Sequence, residues 1–516
     1  MQNKLIITDF AGLRSIRVKP LGTITMSFSY VDEETRAILQ SIMDNAENYA
    51  DFTEKLCDKV LVESTPTLLQ FFAFFFAWYS NQYRLLEKLV EANKLSDLAS
   101  PLRLIYEIRK GEVVDWNDMK ASIKKALDAA PNDWIATLIY LVWRWFAEFL
   151  YPEADVDVRP IELIEKSVNE NEEFEYFGVH LQGQKAHRLR REANFEEANN
   201  AISQSIALAR KFDDLVEVAS LLIIKANIVK HTDPKRAIED LFTSRDLCKQ
   251  LGHRSGLSSV LWELGHILAF RGEFDAAIDC QLESFSLKES LGLHEPNLYP
   301  TVAALYNMKG DGNRALKYAK IGIEQINATA PLTRNVPFRH TAMAWALITL
   351  GRNDEAKKEL EKSKKLVTKT GDSLTLIYSQ IVEGLFEKAE NNHDCASQIF
   401  EEILKWQEES PLPLYQNICL LNLVDIEIER LSQESIGLNS DSSGPWMEKL
   451  DEYIQKNDLP GIAAQSLLLK AKLRNRQGRF DEVRKILKEV QTIAEAPSMR
   501  YLNDLAVSMF PDIIVT

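Results

Sequence analysis

Two hydrophobic periodicities divide the chain. From Thr23 to Tyr30 polar and apolar residues alternate without a break, Ile16-Arg17-Val18-Lys19 alternates as well, and Leu5-Ile6-Ile7 is rich in strand formers. A period of two sends successive side chains to opposite faces of a strand, and Gly12 and Pro20-Leu21-Gly22 supply turn residues between the runs. The pattern predicts a small antiparallel β meander over residues 1–30. A short sheet is not stable alone, so its apolar face (Ile24, Met26, Phe28, Tyr30) is expected to cover the first helices as an end cap, or to dock a partner. From Asp32 onward no comparable alternation occurs, and helical spacing rich in Leu, Ala, Glu and Lys predicts helix nearly to the end.

Along these helices a single pattern recurs. Short polar turns precede Ala198, Ala237, Ala277, Ala315, Ala356 and Ala396, which lie 39, 40, 38, 41 and 40 residues apart, and Val483 follows 87 residues later. That last gap is two periods plus a Ser/Asn/Gly-rich insertion around Gly437 to Gly444, so one irregular repeat is expected between. Twelve residues before the alanine stands a second small residue: Ala186, Gly265, Ala303, Ala344, Gly384 and Ala471, with Ala226 eleven before Ala237. Small side chains at fixed places in two successive helices let their backbones approach closely, as a tight helical hairpin requires.

These residues resemble the tetratricopeptide repeat, most clearly in Leu264-Gly265, Leu268, Gly272, Phe274 and Ala277. The period near 40 is similar to the long variety found in prokaryotic regulators and kinesin light chains. The resemblance covers roughly residues 176–495 and implies an all-α superhelix, a solenoid of stacked helix pairs with the small meander at its start. Residues 31–175 are helical but off-pattern, with Gly111 and Ser122-Ile123-Lys124-Lys125-Ala126-Leu127 forming a degenerate pair; the irregular repeat falls at 415–460, and 496–516 is expected to cap the array.

The resemblance also implies that the first helix of each pair lines a concave groove, with groove residues one and four places after the small anchor. Carried over by position these are His187, Arg190, Asn227, Lys230, His266, Asn307 and Trp345, of which Trp345 also reads as core between repeats. A row of Arg, Lys, His and Asn donors suits an acidic peptide or a C-terminal carboxylate, each charge-assisted bond contributing roughly 1.5 to 3 kcal/mol. The plainer alternative is a solvated helix face. On either account the expected role is a scaffold or adaptor holding a protein or peptide, the alternative being a signalling regulator that senses a peptide and switches a bound enzyme or transcription factor.

Composition narrows the classes. The 61 Lys and Arg against 76 Asp and Glu leave a net charge of -15, which repels phosphate backbones, and nucleic acid is not an expected partner. Five cysteines, far apart and never spaced as CxxC, suggest neither a disulfide framework nor a zinc site and read as buried apolar residues of a cytoplasmic protein. The segment Leu68–Tyr79 is too short to span a membrane, and Trp134–Tyr151 carries Arg144 and Glu148 near its middle, four apart as a helical ion pair. No P-loop, GxSxG, HExxH, GxGxxG or EF-hand motif occurs, so no catalytic residue, cofactor or metal is expected. The aromatic run Phe71, Phe72, Phe74, Phe75, Phe76, Trp78 and Tyr79 surrounds its helix and is expected either as packed centre or as a surface for oligomerisation.

Overall fold

The computed structural model describes residues 5–10, 13–18, 22–26, 31–47, 49–79, 82–92, 96–109, 116–150, 161–170, 172–191, 194–230, 233–291, 298–329, 336–370, 373–407, 413–431 and 444–514. The chain forms two compact units, one of Met1–Glu263 with Ser286–His294 and the other of Leu264–Phe285 with Glu295–Thr516. Near the N-terminus, strands β1 (Leu5–Phe10), β2 (Leu13–Val18) and β3 (Gly22–Met26) pair antiparallel in the order β1-β2-β3, with Leu5 opposite Val18 and Ile16 opposite Ile24. Residues 27–30 of the expected alternating run lie outside the described residues.

Helices fill the rest of the first unit: α1 (Glu33–Asn45), α2 (Tyr49–Val62), α3 (Thr67–Tyr79), α4 (Tyr83–Glu91), α5 (Ser100–Arg109), α6 (Trp116–Asp128), α7 (Asp133–Leu150) and α8 (Ile161–Glu170). The pairs α9 (Gly178–Arg191) with α10 (Phe195–Lys211) and α11 (Leu215–Val229) with α12 (Pro234–Leu251) follow. A continuous apolar core runs from Val31 to Ile228 and crosses residue 175 without a break. It is densest at α3, where Phe71, Phe72, Phe74 and Phe76 are buried and Phe76 meets Tyr49 and Phe52 edge-on. Of the two expectations for this helix, the packed centre holds for these four aromatics, which α1, α2 and α4 surround, while Phe75 and Trp78 are half-buried. The side chains of Arg144 and Glu148 lie outside the described residues, and among those described no helix is long and apolar enough to cross a membrane.

The helices α13 (Arg254–Arg271) and α14 (Phe274–Ser290) contribute to both units. The second unit continues with the pairs α15 (Leu298–Met308) and α16 (Gly312–Thr329), α17 (Val336–Thr349) and α18 (Asn353–Thr370), and α19 (Ser373–Ala389) and α20 (His393–Gln407). After them come α21 (Pro413–Arg430) and α22 (Pro445–Asn457), where the irregular repeat was expected, then α23 (Pro460–Arg476) and α24 (Phe480–Ala494), and at the end α25 (Tyr501–Met509) and α26 (Pro511–Ile514).

The repeat chemistry is visible in each hairpin. Ala198, Ala237, Ala277, Ala315, Ala356, Ala396 and Val483 are all fully buried. A Cβ at Gly265 would lie 2.5 Å from Gln281 Nε2, and one at Gly384 would lie 2.7 Å from Phe400 Cε1, so the small anchor is matched to the residue four places past the alanine. The turn between the helices is equally regular. Gly272, Gly310, Gly351, Asn391 and Gly478, each five residues before the alanine or valine, have φ between 63° and 83°. That left-handed residue lets the next amide fold back on the first helix, as in Glu273 N to Leu268 O at 2.8 Å and Asn392 N to Glu387 O at 2.8 Å. A further tie was not anticipated. Seven residues past the alanine, Ser205, Ser244 and Ser363 donate to the carbonyls of Val179, Ala219 and Pro337, seven residues before the small anchor, at 2.6, 2.7 and 3.1 Å.

No disulfide joins any of the five cysteines; Cys57, Cys248 and Cys419 are buried as expected, whereas Cys395, beside Ala396 at the start of α20, is exposed because that first turn faces outward.

Candidate functional site

The candidate site is the face of the first helices beyond each small anchor. In the first unit it is built on α9 and α11. The anchors Ala186 and Ala226 are buried against their second helices, which leaves His187, Arg190, Asn227 and Lys230 half-buried on the other side. Lys230 donates to Asn227 Oδ1 at 2.6 Å and faces Glu263 Oε2 at 3.6 Å. Lys230 is therefore already near a carboxylate of its own unit.

Deeper in the same unit the first turns of α9 and α11 carry a buried polar network. Tyr176 donates its hydroxyl to Asp214 Oδ2 at 2.8 Å, Asp214 Oδ1 caps α11 by accepting from Glu217 N at 3.0 Å, and His180 Nδ1 lies 3.2 Å from Glu217 Oε1. Burial, reinforced by Glu217, pushes the Asp214 carboxyl up to about 7. Burial pulls His253 down to about 4; its ring meets Tyr49 of α2 edge-on at 6.0 Å. The network ties the off-pattern helices to the first repeats.

In the second unit the positions divide differently. His266 is half-buried. Asn307 corrects the sequence expectation, being buried and donating to Ala342 O of the next first helix at 3.2 Å, whereas Trp345 takes its other expected place, in the core beside Tyr378. Both point between repeats because consecutive first helices pack closely there.

Charged groups on α19, α21 and α23 were missed. Lys388 reaches Asp425 Oδ2 at 2.5 Å and Asn422 Oδ1 at 2.9 Å, while Lys472 reaches Asp425 Oδ1 at 2.6 Å and Glu429 Oε1 at 2.8 Å. His393 Nε2 stands 3.3 Å from Glu429 Oε2. Burial alone would raise the Asp425 carboxyl, but the two ammonium groups outweigh it and hold the group below the usual carboxylate range. The signal was present, since Lys388 stands four places after Gly384 and Lys472 one place after Ala471. Among the described residues no group of His, Cys, Asp and Glu is placed to hold a metal ion.

Hairpins of this kind, stacked in series with one recurring small-residue contact, define a helical-repeat protein. A family model described as tetratricopeptide repeat matches residues 340–366, within α17 and α18, and the other hairpins repeat its anchors. Residues 340–366 thus carry a tetratricopeptide repeat. No curated protein matches it. Similar solved structures include an aspartyl phosphate phosphatase F from Bacillus subtilis, at 12% identity over 70% of this chain and 95% of that one with a TM-score of 0.46. A Rap protein complexed with competence and sporulation factor aligns at 12% identity over 74% of this chain and 98% of the other, with a TM-score of 0.44. Yeast Tom70 aligns at 11% identity over 92% of this chain and 94% of its own, with a TM-score of 0.34.

Proposed function

We propose that the chain is a scaffold that holds a polypeptide segment on a first-helix face, with His187, Arg190, Asn227 and Lys230 as contacting groups in the first unit and His266 at the matching position in the second. The observation that carries this is the placement of half-buried polar side chains on rigid, consecutive helices, so that little ordering remains to be done when an extended ligand arrives. Lys388 and Lys472 hold the corresponding positions on later first helices. Because Lys230, Lys388 and Lys472 stand near carboxylates, an acidic group binds by replacing Glu263 or Asp425. Such an exchange favours a segment that presents both signs of charge and backbone carbonyls over a uniformly acidic one. The N-terminal strands serve, on this reading, as the cover of the first helices.

The test is capture of a partner from native lysate by wild type and by the Arg190→Ala/Lys230→Ala double variant, with helix content checked by circular dichroism. A partner retained by wild type and reduced at least about ten-fold on the variant supports the reading, since two charge-assisted contacts are worth at least about 1.4 kcal/mol together. Equal retention on both would place binding elsewhere.

A regulator that senses a peptide and switches a bound protein needs two arrangements of its helices. One junction in the second unit offers a place for them.

A further inference from the structure

Consecutive pairs in the second unit pack each on the next: α15 on α17, α17 on α19, α19 on α21 and α21 on α23. An open solenoid would end there. Instead the turn between α13 and α14 returns onto helices 147 to 229 residues later in sequence. Asn417 of α21 donates to Phe270 O at 2.7 Å, and Arg271 Nη1 reaches both Asp458 O at 3.1 Å and Asp458 Oδ2 at 2.8 Å. Tyr501 of α25 donates its hydroxyl to Gly272 O at 2.9 Å and its amide to Asp275 Oδ2 at 2.9 Å. Phe270 lies in the same apolar cluster as Leu420, Leu459 and Ile462, and Phe274 packs on the Tyr501 ring at 5.1 Å.

Two glycines make the approach possible. A Cβ at Gly461 would fall 2.2 Å from Gly272 O, and a Cβ at Gly272 would fall 2.7 Å from Ile462 N, so backbone meets backbone with no space for a side chain on either. Gly272 also holds the left-handed turn at φ 79°, whereas Gly461, in the first turn of α23, answers to no position of the repeat pattern. The contact is its evident reason for being glycine. At the junction's edge Asp458 is largely exposed while Arg271 is largely buried, so the ion pair sits where salt and competing ligands reach it.

We propose that this junction is a latch: Phe270–Asp275 seated against Asp458–Ile462 and Tyr501 closes the second unit's repeats into a circuit, and its release opens them into an extended array. That opening would expose a first-helix face to a ligand rests on the proposed function; the latch itself is read without one. Spin labels at Glu283 of α14 and Asn503 of α25, both exposed, in the full chain with Cys280 and Cys395 replaced by Ser, report the junction directly. Wild type is expected to give one short distance, and Gly461→Val to shift most of it to a longer one with helix content unchanged. Should Gly461→Val lose helix content, Asp458→Asn decides: a second, longer distance is expected in wild type to grow as salt is raised, and in Asp458→Asn to be present already at low salt. A single unshifted distance in the folded variant, at every salt concentration, overturns the latch. Partner capture is not read in this experiment, so its failure leaves the binding reading untouched, and the reverse also holds.

Discussion

At the residue scale, the small anchors decide whether a hairpin closes. In an exposed helix, replacing Gly by Ala gains about 1 kcal/mol of helix propensity. At Gly384 the Phe400 ring stands 2.7 Å from where a Cβ would go, and the ring cannot swing away within a packed hairpin. Overpacking of this kind costs roughly 1 to 3 kcal/mol, so packing outweighs propensity. Gly384→Val, which adds bulk and gains less propensity, is expected to destabilise by roughly 2 kcal/mol in denaturant unfolding; a stabilised variant would contradict the hairpin contact. The buried network of the first unit carries a pH signature. Asp214 titrates near 7 in the folded chain, far above an unfolded aspartate, so the folded state holds the extra proton and loses that stabilisation as pH rises from about 4 through 7. His253 has the opposite sense: the unfolded chain takes up the proton first, and stability falls as pH drops from about 6.5 toward 4. The two slopes oppose each other over about pH 4 to 6.5 and largely cancel there, so Asp214→Asn is expected to unmask a rise in thermal stability with pH across that range; an unchanged profile in that variant would contradict the raised Asp214 carboxyl.

At the scale of the element, turns were as legible as helices. Glycine at the left-handed position recurs five residues before the alanine, and where Asn391 replaces it the same conformation persists at φ 63°. Asn391→Gly is expected to be neutral or slightly stabilising and Asn391→Ala to cost about 1 kcal/mol, since alanine tolerates that region poorly. Helix starts are fixed by side chains: Asp233 accepts from Arg236 N at 3.0 Å and Asp311 from Arg314 N at 3.0 Å. Removing either carboxylate by alanine is expected to cost about 1 kcal/mol. The serine ties were harder to see. Ser205, Ser244 and Ser363 share one offset from the alanine, but Gly322, Ile403 and Val490 hold it in other repeats, so spacing alone carried a broken signal. What the pattern could not give was the direction of groove residues. Asn307 and Trp345 occupy the same nominal positions as half-buried Asn227 and Lys230, yet local packing turns both into the space between repeats.

On the scale of the whole molecule, period and anchors revealed the class of fold, because each hairpin is a local unit whose contacts recur within about 40 residues. Non-local facts left no such trace. Nothing in the spacing indicates that α2 meets the repeats through Tyr49 and His253, or that Gly461 exists to receive Gly272, since both depend on how small per-repeat rotations accumulate. The ion pairs along the first-helix face were half legible: Lys388 and Lys472 stand at positions after the anchors though neither was singled out, and their carboxylate partners come from a neighbouring helix. The central claim is that a polypeptide segment lies on the first helices and not on the second. Photo-crosslinking residues placed singly at Asn227 on α11 and at exposed Glu239 on α12 test it in native lysate. Adducts with one polypeptide at position 227 and none at 239 are the expected result. Adducts of equal yield at both positions, or at 239 alone, would contradict the account.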